Sequence, residues 1–312
     1  MVRVSQEKRI EDYYKIYEQI SENPTITILE LSEKIKRSRN TTPKFLREMY
    51  AKNVLIGPYI KMKSISDYRE YVYVMNFSDP FFIFKGLKEF PHVVYHAITS
   101  GSWNTFVVTD RHLDLSKLVG FQSVLYQGVK VRTSTPKVEY NPWDESIERI
   151  DQVAQRTPVQ ADYKGRSNPL PDWGKNEWKL FHAFKRNLRQ KRTPIFHKIK
   201  VKSNVYIRWM NTLKDYCTIH AEFYPHGRER SMRYCFLISS ESAIESYFSN
   251  FPIMCPIIRV EGKKNRFLLF PAVDSIEGIK KLYFAICKMK TKGIIEEFSY
   301  AAILEDFFHS CK

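Results

Sequence analysis

An α+β chain, with two winged helix-turn-helix domains and two ferredoxin-like βαββαβ domains as an internal tandem repeat, is the fold class predicted by this 312-residue sequence. Two observations lead there. The apolar pattern recurs: Leu31/Ile195, Ile35/Ile199, Phe45/Trp209, Leu46/Met210 and Met49/Leu213 are each 164 residues apart, and Gly101/Gly262, Asn104/Asn265 and Phe106/Phe267 are each 161 apart. That period exceeds the roughly 20–50 residues of solenoid units, so the repeated unit is a pair of domains. Within each copy, helix-period segments then give way to alternating strand and helix signals. The implied boundaries are 1–68 and 174–231 for the winged helices, 69–138 and 232–312 for the ferredoxin-like domains, and 139–173 for a proline-rich linker.

In the first copy, residues 5–21 carry Ile10, Tyr13, Ile16, Tyr17 and Ile20 on one helical stripe, stopped by Pro24. Thr27 with Glu30 three residues later forms a capping-box pattern for a second helix holding Leu31 and Ile35. A third helix starts near Thr41-Thr42-Pro43 and buries Phe45, Leu46 and Met49. A wing follows, a hairpin turning at Gly57-Pro58. The ferredoxin-like plan reads as a strand at 71–77, a helix at 79–89, strands at 92–99 and 104–110, a short helix near 113–120 and a strand at 129–138. In the second copy Leu180, Phe181 and Phe184 stripe the first helix, Ser203 caps the third, and the wing spans 217–233. A linker helix is expected at 143–155, and a last amphipathic helix at 301–311 from Ile303, Leu304, Phe307 and Phe308.

The formal net charge is +16, and residues 174–232 hold 14 basic against 4 acidic side chains. Charge gathered in one segment points to a polyanion partner, above all nucleic acid. No apolar run approaches the ~18 residues of a membrane span, and the charged N-terminus lacks a secretory core, so a cytoplasmic protein without membrane contact is expected. Cys217, Cys235, Cys255, Cys287 and Cys311 are widely spaced, which predicts reduced thiols and no metal site.

The spacing Leu46-x-x-Met49-x-x-x-Asn53-x-Leu55, its partner Met210-x-x-Leu213-x-x-x-Cys217-x-Ile219, and the turns Gly101-x-x-Asn104-x-Phe106 and Gly262-x-x-Asn265-x-Phe267 resemble the Lrp/AsnC family of archaeal and bacterial transcription regulators. The resemblance implies a DNA-binding regulator that acts as a single-chain pseudo-dimer, with room for a further homodimer. It also implies a small-molecule effector site beside the glycine hairpins. No enzyme activity and no cofactor are expected.

Double-stranded DNA is the expected partner. A recognition helix enters the major groove by its N-terminal end, where Asn and Arg read bases while Lys, Ser and Thr hold phosphate. The candidates in the first head are Arg37, Arg39, Asn40, Thr41, Thr42, Lys44 and Arg47, with Lys61 and Lys63 on its wing. In the second they are Lys198, Lys200, Lys202, Ser203, Asn204, Tyr206, Arg208 and Asn211, with Arg228 and Arg230 on its wing. The effector or interface candidates are Gly101, Trp103, Asn104, Gly262 and Asn265, with Trp103 expected at an exposed turn tip. One alternative is a protein-interaction module that has lost DNA contact. Another is a tetrapyrrole enzyme, because siroheme decarboxylases look like this family's architecture and use histidine and arginine; here His92, His96, Arg111 and His112 would be the residues at issue.

Overall fold

The computed structural model of the chain describes residues 6–63, 68–154, 169–240, 244–249, 251–261 and 265–309. Its first half runs α1 (Gln6–Glu22), α2 (Ile28–Lys34), α3 (Thr41–Ala51), β1 (Leu55–Met62), β2 (Tyr71–Phe77), α4 (Pro80–Leu87), β3 (Val93–Gly101), β4 (Thr105–Thr109), β5 (Phe121–Ser134) and α5 (Trp143–Ala154). The second half runs α6 (Lys175–Phe184), α7 (Arg192–Ile199), α8 (Ser203–Tyr216), β6 (Cys217–Phe223), β7 (Met232–Ser239), α9 (Glu245–Phe248), β8 (Ile257–Val260), β9 (Arg266–Leu269), β10 (Ala272–Val273), α10 (Ile276–Thr291) and β11 (Glu297–Phe308). Two compact units result, and each draws on both halves. Unit one takes Met1–Ile65 and Ser167–Ser231; unit two takes Ser66–Arg166 and Met232–Lys312.

Unit one holds the two three-helix heads. The stripe on α1 buries Ile10, Tyr13, Ile16, Tyr17 and Ile20. The capping box forms at α2: the Glu30 amide donates to Thr27 Oγ1 at 3.2 Å and the Thr27 amide to Glu30 Oε2 at 3.0 Å, an arrangement worth about 1 kcal/mol. In the second head Leu180, Phe181, Phe184, Tyr206, Trp209 and Leu213 share one core.

The expected wings do not form as separate hairpins. β1 instead pairs antiparallel with β6, from Leu55 opposite Phe223 to Met62 opposite Cys217, with a bulge at Gly57-Pro58. Ile60 of the first half thereby enters the core of the second head. Phe223 of the second half stacks on Tyr17 of α1 at 5.1 Å. An isolated hairpin is marginal in water, whereas each strand here finds both a partner and a helical surface. Gly57 is required by the close approach, since at φ +91° a Cβ would lie 2.8 Å from the His220 carbonyl oxygen.

Unit two is a closed antiparallel barrel. The ring runs β7, β11, β3, β4, β2, β5, β8, β9 and back to β7, with β10 on the same edge of β7 as β9. The first half contributes β5-β2-β4-β3 and the second β11-β7-β9-β8, which is in each case the fourth, first, third and second strand of a βαββαβ unit. Closure leaves no exposed strand edge in the ring. Val72, Val74, Ala97, Trp103, Phe106, Tyr126, Cys235, Leu268 and Ala301 form one core. Residues alternating with them face outward: Tyr73, Met75 and Val107 pack with Ile83 and Leu87 of α4, and Phe236, Ile238 and Phe267 pack with α9, α10 and α5.

Several expectations are corrected. Residues 301–308 are strand, not helix, because pairing Phe308 with Tyr95 through Ala301 with Gly101 closes the barrel. The helix near 113–120 is one 3-10 turn, Leu115–Lys117. The linker is not wholly a spacer: Ile147 and Ile150 of α5 enter the second-half core, and Asp151 pairs with Lys288 of α10 and with Lys292 at its C-cap, at 2.7 Å each. Linker residues 155–168 lie outside the described residues. Cys217, Cys235 and Cys255 are buried free thiols and Cys287 is exposed; Cys311 is outside the described residues. Among the described residues no helix is long and apolar enough to cross a membrane.

Candidate nucleic-acid interface

The second head presents a cationic helix entrance. Burial of Tyr206, Trp209 and Leu213 on one side of α8 turns Ser203, Asn204, Arg208 and Asn211 outward, and all four are exposed. The last turn of α7 and the turn after it expose Lys198, Lys200 and Lys202, with Lys200 in the left-handed region at φ +55°. None of Lys198, Lys200, Lys202 and Arg208 has a carboxylate partner among the described residues. Lys202 occupies the N-cap of α8 and no side chain caps the helix, so its first amides and the positive end of its dipole stay open to an anion. A shallow cavity of about 400 Å³, lined in part by Thr193, His197, Lys200, Lys202 and Ser203, sits at this entrance.

Two residues depart from their expected roles here. Tyr206 is buried: its ring lies 5.3 Å from Phe184 and 5.4 Å from Phe196, with the Arg192 guanidinium 4.8 Å above it. Ser203 is the first helical residue rather than the cap. Lys191, at the N-cap of α7, and Arg192, its first residue, are exposed cations that were not among the candidates; their place at the start of a helix was the available signal.

In the first head some of the entrance residues have partners within the protein. Arg37 binds Asp12 through Nε, at 3.0 and 3.1 Å to the two carboxylate oxygens. Arg39 stands 3.9 Å from Glu33. Thr42 is fully buried, its hydroxyl donating to the Ser38 carbonyl, and Thr41 Oγ1 shares a 2.8 Å bond with Ser38 Oγ. Asn40, Lys44 and Arg47 remain exposed. The wing residues divide likewise. Lys63 Nζ donates to the carbonyls of Lys214 and Asp215 at 2.7 and 3.0 Å, closing the end of α8. Lys61 sits 5.3 Å from the Tyr59 ring. Arg228 and Arg230 lie on a 3-10 turn, the former half-buried and the latter exposed. A groove of about 820 Å³ in unit one is lined by Arg9, Tyr13, Glu48, Lys52, His226 and Arg230 among others. Glu48 takes both Arg9 and Lys52, which cancels much of the charge there.

The glycine hairpin is structural. Trp103, expected exposed, is wholly buried in the barrel core. Asn104 ties its turn to β2: Oδ1 accepts from the Phe77 amide at 3.0 Å and Nδ2 donates to the Phe77 carbonyl at 2.7 Å. Gly101, at φ +148°, lets β3 approach β11 so closely that a Cβ would meet the Tyr300 carbonyl oxygen at 2.5 Å. Asn265 Oδ1 accepts from Arg259 Nη2 at 2.7 Å. Gly262 lies outside the described residues. Those of them that are described are held by backbone and neighbouring side chains.

The histidines also have partners. His92 Nδ1 is 2.9 Å from Asp110 Oδ1. His96 is buried between the Phe84 carbonyl at 3.0 Å and His309 Nε2 at 3.1 Å. Burial outweighs the hydrogen bond to Phe84 and pushes its pKa down to about 4. His112 is exposed, 2.8 Å from Gln127 Nε2, and Arg111 is exposed beside it. Among the described residues no group of three or more His, Cys, Asp or Glu side chains is arranged to hold a metal ion.

Against this geometry, no protein-family model matches the sequence and no curated protein sequence is similar to it. Solved structures do resemble it. The crystal structure of the siroheme decarboxylase NirDL is similar over 96% of this chain and 93% of that one, at a TM-score of 0.51 and 11% identity. The same enzyme in complex with an iron-uroporphyrin III analogue gives 0.46 at 11% identity over 95% and 92%. An AsnC family transcriptional regulator from Agrobacterium tumefaciens gives 0.34 at 14% identity, over 45% of this chain and 95% of that one. The expectation that the chain is not an enzyme is corrected by the first of these: its fold is shared nearly end to end with an enzyme. This mixed α+β chain has the fold of the siroheme decarboxylase NirDL.

Proposed function

We propose that this chain binds double-stranded DNA through the α7–α8 entrance of its second head, as a transcription regulator whose two tandem copies act as one pseudo-dimer. The observation that carries the reading is the set Lys198, Lys200, Lys202 and Arg208, exposed without carboxylate partners around the uncapped N-terminus of α8. Phosphate contacts supply most of such binding, and each released counterion makes it salt-dependent. The test is titration of the full chain onto a fluorescent duplex. Lys202→Ala with Arg208→Ala should weaken binding at least about tenfold, while Lys117→Ala with Lys137→Ala should change it little. Equal losses from the two pairs would overturn the reading.

A second reading has its own support. The correspondence with NirDL extends along almost the whole chain, and the comparisons favour this reading over DNA binding, whereas the local charge of α8 favours DNA. On the second reading the chain acts on a tetrapyrrole, as the name of that enzyme indicates for it. Fold alone does not carry activity, so a direct assay decides. Purified chain incubated with siroheme would change the tetrapyrrole absorbance spectrum and release carbon dioxide; an unchanged spectrum and no release would rule it out.

A further inference from the structure

The groove of about 820 Å³ in unit one has walls from opposite halves of the chain: the start of α1 and the end of α3 on one side, and the turn at 225–230 on the other. That turn is held in place by main chain. The Tyr224 amide donates to the Val54 carbonyl at 2.8 Å, and the Arg228 amide to the Asn53 carbonyl at 3.1 Å. Gly227, at φ +92°, passes so close to the end of α3 that a Cβ there would lie 2.6 Å from the Lys52 carbonyl oxygen, so the joint requires glycine. Asn53 Nδ2 donates to Glu229 Oε1 across the same joint. Walls fixed in this way make a preformed cleft, and clefts of roughly 300–1,000 Å³ are where small molecules bind.

The chemistry of the groove is two-sided. Its floor is apolar, with Ile10, Tyr13 and Val54 all buried. Its rim is charged. Arg9 Nε donates to the Tyr13 hydroxyl at 2.9 Å while its Nη2 pairs with Glu48, and Lys52 takes the other oxygen of Glu48 at 2.7 Å. With His226 neutral, Arg9, Lys52 and Arg230 stand against Glu48 and Glu229, three cations to two carboxylates. The excess lies on Arg230, which is exposed and has no carboxylate partner among the described residues.

A guanidinium beside an apolar floor is complementary to one carboxylate on an apolar body. We infer that this groove is a binding site for a small monocarboxylate, whose ring or short alkyl body lies on Ile10 and Val54 and whose carboxylate meets Arg230. A dianion would bring more charge than the rim leaves unbalanced, and a neutral molecule would leave Arg230 unanswered. The groove shares no lining residue with the cavity at the α8 entrance, and the inference is independent of both functional readings above. Because each half supplies one wall, an occupant ties α3 to the turn that follows β6 and stabilises unit one by mass action.

The test is a saturation-transfer NMR titration of the full chain with phenylacetate and octanoate, with phenylacetamide and inorganic phosphate as controls and no DNA present. At least one acid should bind with a Kd below about 1 mM, and both controls should be at least about fivefold weaker. Arg230→Ala, with folding verified by circular dichroism, should weaken that acid by at least about fivefold. Lys117→Ala, in unit two, should leave it unchanged. Neither acid reaching about 1 mM, either control within about fivefold of the acid, or a smaller loss in Arg230→Ala would each overturn the inference. Since the acid and its amide are compared on the parent chain, the result stands even if a variant fails to fold, and it leaves the DNA-binding reading untouched.

Discussion

Arg37 lies across the carboxylate of Asp12, with Nε bonded to both oxygens and Nη2 2.9 Å from Oδ1. Asp12 sits on the packed side of α1 and is almost fully buried. A carboxylate in that position must be paired, and the turn after α2 supplies the partner. Arg37→Ala strands the acid and should destabilise unit one by about 3 kcal/mol. Asp12→Asn with Arg37→Ala should recover part of that loss. Urea unfolding of the two variants checks this; an Arg37→Ala chain as stable as the parent would show that the pair is not structural.

Trp103 gives a second prediction. Its side chain is completely buried among Val72, Phe106 and Ala301 in the barrel core, so Trp103→Ala leaves a cavity and should cost about 3–5 kcal/mol. A tryptophan on an exposed tip would be replaced at almost no cost. Chemical denaturation followed by circular dichroism separates the two.

The mixed α+β class and the order of the strands were legible in the sequence because period-two segments alternate with apolar helical ones, whereas the helix expected near 113–120 shrinks to one 3-10 turn. The Thr27–Glu30 capping box was legible for a similar reason, since capping is decided within four residues. What escaped was decided at long range. β1 pairs with β6 across more than 150 residues, and no local signal distinguishes that from a hairpin at Gly57-Pro58. Residues 301–308 carry Ile303, Leu304, Phe307 and Phe308, a spacing that suits a helix until the open edge of β3 is known. Trp103 faces inward because β11 closes over its hairpin. Tyr206 was the avoidable error: it stands three residues before Trp209 and seven before Leu213, on the same buried stripe of α8.

Stability should fall on acidification. His96 is 1% exposed, and its neighbours His309, Lys88 and Asp306 lie on the elements packed around it. Burial holds the folded pKa at about 4, below the ordinary 6.5, so between those values the unfolded chain binds a proton that the folded chain refuses. The stabilisation is complete above about pH 6.5 and is lost as pH falls toward about 4, up to roughly 3 kcal/mol. His220 in the β1–β6 ribbon is pushed down to about 4 by burial as well, so unit one shares the trend. His96→Gln should lower stability at neutral pH and flatten the acid limb. A variant with the parent's slope between about pH 7 and about pH 4 would show that His96 does not carry it.

The central claim is that the α8 entrance of the second head meets the phosphates of a duplex. Its most direct measurement is the slope of log affinity against log salt for the parent and for the double variants Lys202→Ala with Arg208→Ala and Lys117→Ala with Lys137→Ala. The account predicts a slope shallower by about two for the first pair, and an unchanged slope for the second. Equal slopes for all three proteins, or a shallower slope for the Lys117 and Lys137 variant alone, would contradict it.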